Sequence, residues 1–216
     1  MAERQHILRW GGACGLLAAL ILTAMMVVGL AAGPNSTEML QPTDPAKISD
    51  LLSGYGSVVK ASIVLDDLFV LAYTGAFLGL AALVWPRSRW LAGIAMVFAL
   101  ATAVLDFAEN ARLMTMALGI GSEANLTGSA LREFNIITQL KYAASHLAVF
   151  LFGVGLVRRD LLSWTVTAFL FTFAVVSTIA FAYSAVGLVR ILLMWLLLVL
   201  GGWLAWRESK TMEGEH

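Results

Sequence analysis

The sequence predicts an all-α, polytopic membrane protein: a bundle of six transmembrane helices in a single integral membrane domain, residues 1–216. Two observations lead to this prediction. The chain is 60% hydrophobic and only 13% charged, whereas a soluble domain carries roughly 25% charged residues, and its mean hydropathy is +0.84. The apolar residues also fall in long stretches, each near the ~20 residues that a helix needs to cross a bilayer core.

Six apolar stretches are long enough to cross a bilayer as helices. Arginines before the first one resemble the start of a signal peptide, but its apolar run exceeds the roughly 7–15 residues of a signal core, which favours a retained helix. Pro86 ends the second stretch, and no proline lies inside any of them. The predicted spans are Trp10–Ala32, Ala61–Trp85, Trp90–Leu118, Leu131–Leu156, Leu161–Tyr183 and Leu188–Trp206.

The segment between the first two spans predicts a short surface helix. Asp44 precedes Pro45, and aspartate caps helices while proline suits the first helical turn. We therefore expect a helix from about Pro45 to Leu52 that lies against the outer leaflet. Residues 119–129, between the third and fourth spans, contain several glycines and predict a loop.

The distribution of basic residues predicts the orientation, because lysine and arginine are enriched in the cytoplasmic loops of membrane proteins. If the six spans alternate in direction, eight basic residues near the span ends fall on one side of the membrane. We therefore predict a multi-pass protein of the cell's inner membrane with both termini in the cytoplasm. The residues concerned are Arg4, Arg9, Arg87, Arg89, Arg158, Arg159, Arg207 and Lys210.

Charged and polar side chains interrupt the apolar spans, most densely in the stretch ATAVLDFAENARLM. Its residues Asp106, Glu109 and Asn110 are spaced i, i+3, i+4, so they share one helix face. Ionisable residues inside spans are costly, and by default they indicate function or a paired network. The candidate residues for binding a ligand or proton are Asp66, Asp67, Tyr73, Asp106, Glu109, Asn110, Lys141, Tyr142, Ser145 and His146.

Depth in the membrane predicts an ion pair between the third and fourth spans. Counted from Arg89 and Arg158 at about 1.5 Å per residue, Asp106 and Lys141 both lie roughly 25 Å along their helices. Lys141 is the only lysine within a span, and a buried ammonium needs a partner to stay charged. We therefore predict that Asp106 and Lys141 pair. More carboxylates than lysines occupy this region, and a proton, cation or polar ligand would balance the excess.

The composition also excludes several classes of site. A single cysteine allows no intrachain disulfide and no cysteine-rich metal site. Of the three histidines only His146 lies in a span, so one chain cannot build a multi-histidine haem or zinc site there. No cofactor is predicted. A formal net charge of +0 gives no reason to expect a nucleic-acid partner. The predicted partners are the lipid bilayer and a small polar or lipid-like ligand.

Three functional hypotheses follow, and they leave open whether the protein is an enzyme. The first is a small transporter or sensor that binds a small polar ligand, cation or proton in an outward-facing pocket. The second is an intramembrane enzyme that uses a carboxylate with His146 or Lys141 for acid–base chemistry on a lipid-like substrate. The third is an accessory subunit whose polar network is structural, since such contacts often only join helices, at about 0.6 kcal/mol each.

Clustered glycines predict close helix packing. Gly75 and Gly79 form a G-x-x-x-G pair in the second span, and Gly11, Gly12 and Gly15 lie together in the first. Small residues of this kind allow the backbones of membrane helices to approach closely.

The orientation can be tested by cysteine accessibility. In a background in which Cys14 is replaced by alanine, Ser88→Cys and Lys210→Cys should react with an impermeant thiol reagent only from the cytoplasmic side, because both positions lie on the predicted basic side. The measurement is labelling of intact cells compared with inverted vesicles. Strong labelling of either position from outside would overturn the orientation.

Overall fold

The computed structural model describes residues 2–31, 45–118, 128–157, 160–182 and 186–213, and the regular structure in these ranges is entirely helical. Each helix contains a stretch long and apolar enough to cross a membrane. The prediction of an all-α chain with six such helices is confirmed. The helices are α1 (Ala2–Ala31), α2 (Pro45–Val84), α3 (Arg89–Leu118), α4 (Gly128–Leu156), α5 (Leu161–Ala182) and α6 (Gly187–Glu213).

The short surface helix is not confirmed as a separate element. A helix does begin at Pro45, but it continues without interruption to Val84 as α2. Proline ends a helix because it cannot donate a backbone hydrogen bond. The next proline after Pro45 is Pro86, so no proline interrupts the helix between them. Asp44 and the predicted loop at residues 119–129 lie largely outside the described residues, which resume at Gly128.

Consecutive helices pack side by side, and α1 also packs against α6, which closes a ring of six. Helix α2 makes further contacts with α4 and α6, so it lies nearest to the centre. Between neighbouring helices, the Arg4 Nε atom donates to the Ala82 carbonyl at 3.1 Å, and Arg207 lies 2.7 Å from the Asp160 carboxylate at the start of α5. We call this end of the bundle, which carries Arg4, Arg87 and Arg207, the basic end.

Helices α1 and α6 extend past their predicted spans at the basic end. Their polar side chains contact each other there: the Gln5 amide donates to the Ser209 carbonyl at 3.2 Å, and Arg9 forms an ion pair with Glu213. A terminal turn beyond the apolar stretch is therefore stabilised by polar contacts between the two helices. Apolar length alone could not predict these extensions.

Two capping residues begin helices at the basic end. The Ser88 hydroxyl accepts the Leu91 amide at 3.2 Å and caps α3, while the Asp160 carboxylate accepts the Ser163 amide at 3.2 Å and caps α5. Partial desolvation of Asp160 is outweighed by hydrogen bonds from Ser163 and Arg207, which hold the pKa of this carboxyl below its usual value. Asp160 therefore stays ionised and joins the start of α5 to α6.

The main hydrophobic core lies in the half of the bundle toward the basic end. Leu83, Phe152, Leu156 and Leu204, from three helices, are almost completely buried there. The apolar interior of the bundle is therefore concentrated toward its basic end.

Glycines bring α1 close to its two neighbours, as predicted. A Cβ atom at Gly79 of α2 would lie 2.9 Å from the Gly11 Cα atom. A Cβ atom at Gly12 or at Gly15 would lie 2.9 Å from a carbonyl oxygen of α6, that of Gly202 in the first case. Cβ atoms are not tolerated at such distances from backbone, so α1 is held tightly between α2 and α6.

Gly79→Ala should lower the free energy of unfolding by about 1–3 kcal/mol, because the new methyl group must push the α1 backbone away. The matched control is Gly93→Ala on α3, where a Cβ atom meets no heavy atom within 4 Å. That change should be neutral or stabilising, by up to about 1 kcal/mol from helix propensity. The measurement is thermal denaturation in detergent, and equal effects of the two changes would contradict the packing.

Candidate functional site

The polar face of α3 is directed at α2 and α4, and Asp106 lies at its centre. The Tyr73 hydroxyl of α2 donates to one Asp106 carboxylate oxygen at 2.5 Å. The Lys141 Nζ atom of α4 lies 2.9 Å from the other oxygen. Asp106 and Tyr73 are only 9% and 7% exposed. The predicted Asp106–Lys141 salt bridge is therefore present and buried.

Lys141 has a second carboxylate partner, Glu109. The prediction from depth in the membrane had identified only Asp106. The Lys141 ammonium also forms an ion pair with Glu109, one helical turn from Asp106. The Thr138 hydroxyl donates to the other Glu109 oxygen at 2.7 Å. Both carboxylates thus accept a hydroxyl hydrogen bond and share one ammonium. The spacing of Thr138 and Lys141 on one face of α4 is the signal that identifies this donor.

Asp66 and Asp67 of α2 are linked to the same face of α3 through an amide. The Asn110 side chain donates to Asp66 at 2.8 Å and to Asp67 at 2.9 Å, and Asn110 is buried. No lysine or arginine side chain that the structure describes lies within 4.0 Å of either carboxylate. These two carboxylates are therefore held by a neutral donor and not by a cation.

Tyr142 connects the fourth helix to the sixth. The Arg190 guanidinium of α6 donates to the Tyr142 hydroxyl at 3.1 Å and lies over its ring, 5.2 Å from the centroid. The Lys141 ammonium approaches the same ring at 5.1 Å. Cations are attracted to aromatic faces at such distances. We call Asp66, Asp106, Glu109 and Lys141 the charged cluster. Arg190 faces this cluster from across the bundle and adds a positive charge that was not among the predicted site residues.

His146 lies apart from the carboxylates. Its Nδ1 atom is 3.4 Å from the Thr178 hydroxyl of α5, and its ring centroid is 6.3 Å from that of Tyr142. Neighbouring residues of a helix point about 100° apart, from 3.6 residues per turn. This rotation turns His146 toward α5 while Ser145 faces the interior. The hypothesis that His146 works beside a carboxylate is not supported by this geometry.

The cluster forms one wall of a large cavity, whose volume is about 980 Å³. Apolar residues from all six helices line most of the remaining walls, together with Ser62, Thr102 and Arg190. Asp67 and His146 are not among the residues that line it in the described part of the chain. The candidate residues that do are Asp66, Tyr73, Asp106, Glu109, Asn110, Lys141, Tyr142 and Ser145.

Three aromatic side chains of α2, which we call the aromatic ladder, continue this wall toward the basic end. Only Tyr73 was among the predicted site residues, because the prediction considered polar side chains. Phe69, Tyr73 and Phe77 are spaced by four along α2, with adjacent ring centroids 5.3 and 5.6 Å apart in edge-to-face geometry. All three line the cavity. Their i, i+4 spacing is visible in the sequence and would have predicted a shared face.

The chemistry of the wall is that of a charged, hydrogen-bonding surface. Within the described residues, no group of three or more histidine, cysteine, aspartate or glutamate side chains is arranged to hold a metal ion. Ion pairing and hydrogen bonding to a ligand are open to Asp66, whose described partner is a neutral amide, while Glu109 and Lys141 are paired with each other. The fold and this wall define a six-helix protein with a charged cavity between its helices.

Comparison with known proteins adds no family to this description. No protein-family model matches the chain, and no match was found among the curated proteins or the solved structures. The functional inference therefore depends on the residues of the chain itself.

Lys141→Met should lower the free energy of unfolding by about 3–5 kcal/mol, because it leaves two carboxylates without their cation. Asp106→Asn and Glu109→Gln should each cost less, since Lys141 keeps its other partner. Adding Asp106→Asn to Lys141→Met should recover part of the loss. The measurement is a double-mutant cycle by thermal denaturation in detergent. Strictly additive effects, with coupling below about 0.5 kcal/mol, would contradict the shared ion pair.

Proposed function

We propose that the protein is a multi-pass membrane protein that binds a small ligand in its intramembrane cavity, as a small transporter or sensor does. The observation that carries this proposal is the position of the charged cluster: it forms one wall of the large cavity. A network that only joined helices would be expected to be packed on all sides, because voids reduce stability. Here Asp66, Glu109 and Lys141 border open space.

The outer surface of the bundle supports insertion into a bilayer. Large apolar side chains point outward on successive helices: Leu20 is 69% exposed, Leu71 61% and Val104 67%. Soluble monomers rarely expose contiguous apolar surface on this scale. Lipid is the solvent that such a surface fits.

The basic end supports a cytoplasmic location for both termini. Arg4, Arg87 and Arg207 lie at this end, and positive charge is retained on the cytoplasmic side of membranes. In the inner membrane of the cell, the carboxylate cluster would then lie toward the opposite, outer side. The proposed pocket therefore takes its ligand from outside.

The other two hypotheses have less support. An intramembrane acid–base enzyme on a lipid-like substrate was expected to use His146 or Lys141, but His146 contacts α5 and Lys141 is held by two carboxylates. An accessory subunit with a purely structural network would not need the cavity. Binding of a ligand, cation or proton accounts for both the cavity and the excess of carboxylates.

The proposal predicts that the cavity is open to water from outside. With Cys14 replaced by alanine, Ser145→Cys should be modified by the impermeant cationic reagent trimethylammonium-ethyl methanethiosulfonate added to intact cells. Such a reagent needs an ionised thiol, and a thiol ionises only where water reaches it. The measurement is the rate of modification, followed by the loss of later maleimide labelling.

The matched control is Leu147→Cys, close in depth on the same helix but 46% exposed on the outward face. That thiol should stay unmodified because lipid surrounds it. If Ser145→Cys reacts no faster than Leu147→Cys in membranes, yet both react after denaturation, the cavity is closed and the structural hypothesis replaces this one.

A further inference from the structure

We propose that the ligand of this cavity is a hydrophobic organic cation, a bulky apolar body that carries one positive charge, with the charge placed beside Asp66. This inference deepens the proposed function and rests on it. It follows from the size of the cavity, the chemistry of its walls and the distribution of charge among its polar residues.

The size of the cavity argues for a large ligand. Pockets for drug-sized molecules have volumes of roughly 300–1,000 Å³, and this cavity has about 980 Å³. An inorganic ion or a proton would occupy a small fraction of it. The described acidic side chains are also not grouped to coordinate a metal ion. A ligand that fills the space must therefore bring substantial volume of its own.

The chemistry of the walls argues for an apolar body. Apart from Ser62, Thr102 and Arg190, the lining away from the cluster is apolar, and it includes Leu22, Phe77, Phe173 and Leu197. Burying apolar ligand surface against such walls contributes roughly 25 cal/mol per Å². Met25, Met26 and Met194 also line the cavity, and methionine adapts its shape to irregular partners. The walls thus suit an apolar body and tolerate variation in its outline.

The distribution of charge argues for a positive head group. Lys141 is shared by Asp106 and Glu109, so that part of the wall has its cation. Asp66 lines the cavity, yet its described partner is the neutral Asn110 amide. An ammonium-type charge beside Asp66 would supply the cation that this carboxylate lacks.

The aromatic ladder also favours a ligand with a positive charge. Phe69 and Tyr73 lie three and seven residues after Asp66 on α2, so all three share one helix face and line the cavity. Aromatic faces attract cations through the negative charge density above the ring. The described lining carries three carboxylates, Asp66, Asp106 and Glu109, against two cations, Lys141 and Arg190, so it has one negative charge in excess, which an anionic amphiphile would increase. The wall therefore discriminates by charge and not by size alone.

The test uses two probes that differ in the sign of their charge. Tetraphenylphosphonium and tetraphenylborate have nearly the same shape and hydrophobicity, so equilibrium binding to the purified full chain in a non-ionic detergent isolates the effect of charge. We expect saturable binding of the phosphonium, and slower modification of Ser145→Cys in its presence. Tetraphenylborate should show neither effect. Equal or tighter binding of the borate would overturn the proposal.

Asp66→Asn locates the charge and has a matched control next to it. Asp66→Asn should weaken phosphonium binding about tenfold or more, the factor for one lost ion pair of about 1.4 kcal/mol. Asp67→Asn removes the neighbouring carboxylate, which shares Asn110 but does not line the cavity, and should change affinity by less than about threefold. Equal losses in both variants would refute the placement at Asp66.

The outcomes separate this inference from the proposed function. If Asp66→Asn does not fold, as judged by size-exclusion chromatography, the discrimination between phosphonium and borate by the unmodified chain still decides. If Ser145→Cys is modified from outside but neither probe binds, the ligand class is wrong and the proposed pocket stands. If Ser145→Cys is not modified at all, the pocket is refuted and this inference falls with it.

Discussion

The arrangement of the site depends on the Lys141 ammonium. An ammonium taken out of water loses several kcal/mol of hydration, and here it is compensated by Asp106 and Glu109, which lie one turn apart on α3. Each carboxylate is held in turn by a hydroxyl, from Tyr73 of α2 and Thr138 of α4. Helices α2, α3 and α4 are therefore joined at one depth by contacts that centre on a single ammonium. The same side chains form the charged wall of the cavity that lies between these helices and α1, α5 and α6.

The parts of this arrangement that depend on distance along a helix could be predicted from the sequence. A helix rises by a fixed amount per residue, and the basic residues mark where the spans begin. The depth of Asp106 therefore identified Lys141 as its partner. The spacing also shows that Glu109 shares a helix face with Asp106. Its contact with Lys141, however, depends on the length and direction of both side chains, and the number of residues along a helix does not give these.

The parts that depend on rotation and separation of helices could not be predicted. His146 and Ser145 are neighbours in sequence, yet one contacts α5 and the other lines the cavity, because the rotation of α4 about its axis decides which faces inward. The cavity is lined by residues from all six helices, so its shape depends on how the helices are assembled, including the close approach of α1 to α2 and α6 through glycines. No single helix carries that information.

The packed core at the basic end determines the route by which a ligand can exchange. Leu83, Phe152 and Leu204 are buried, and each lies three residues nearer the basic end than a residue that lines the cavity. In the function proposed above, a ligand bound beside Asp66 would exchange only on the side away from this core. Occupancy of the site at equilibrium would then follow the ligand concentration in one compartment, and net movement of ligand across the bundle would require the core contacts to break.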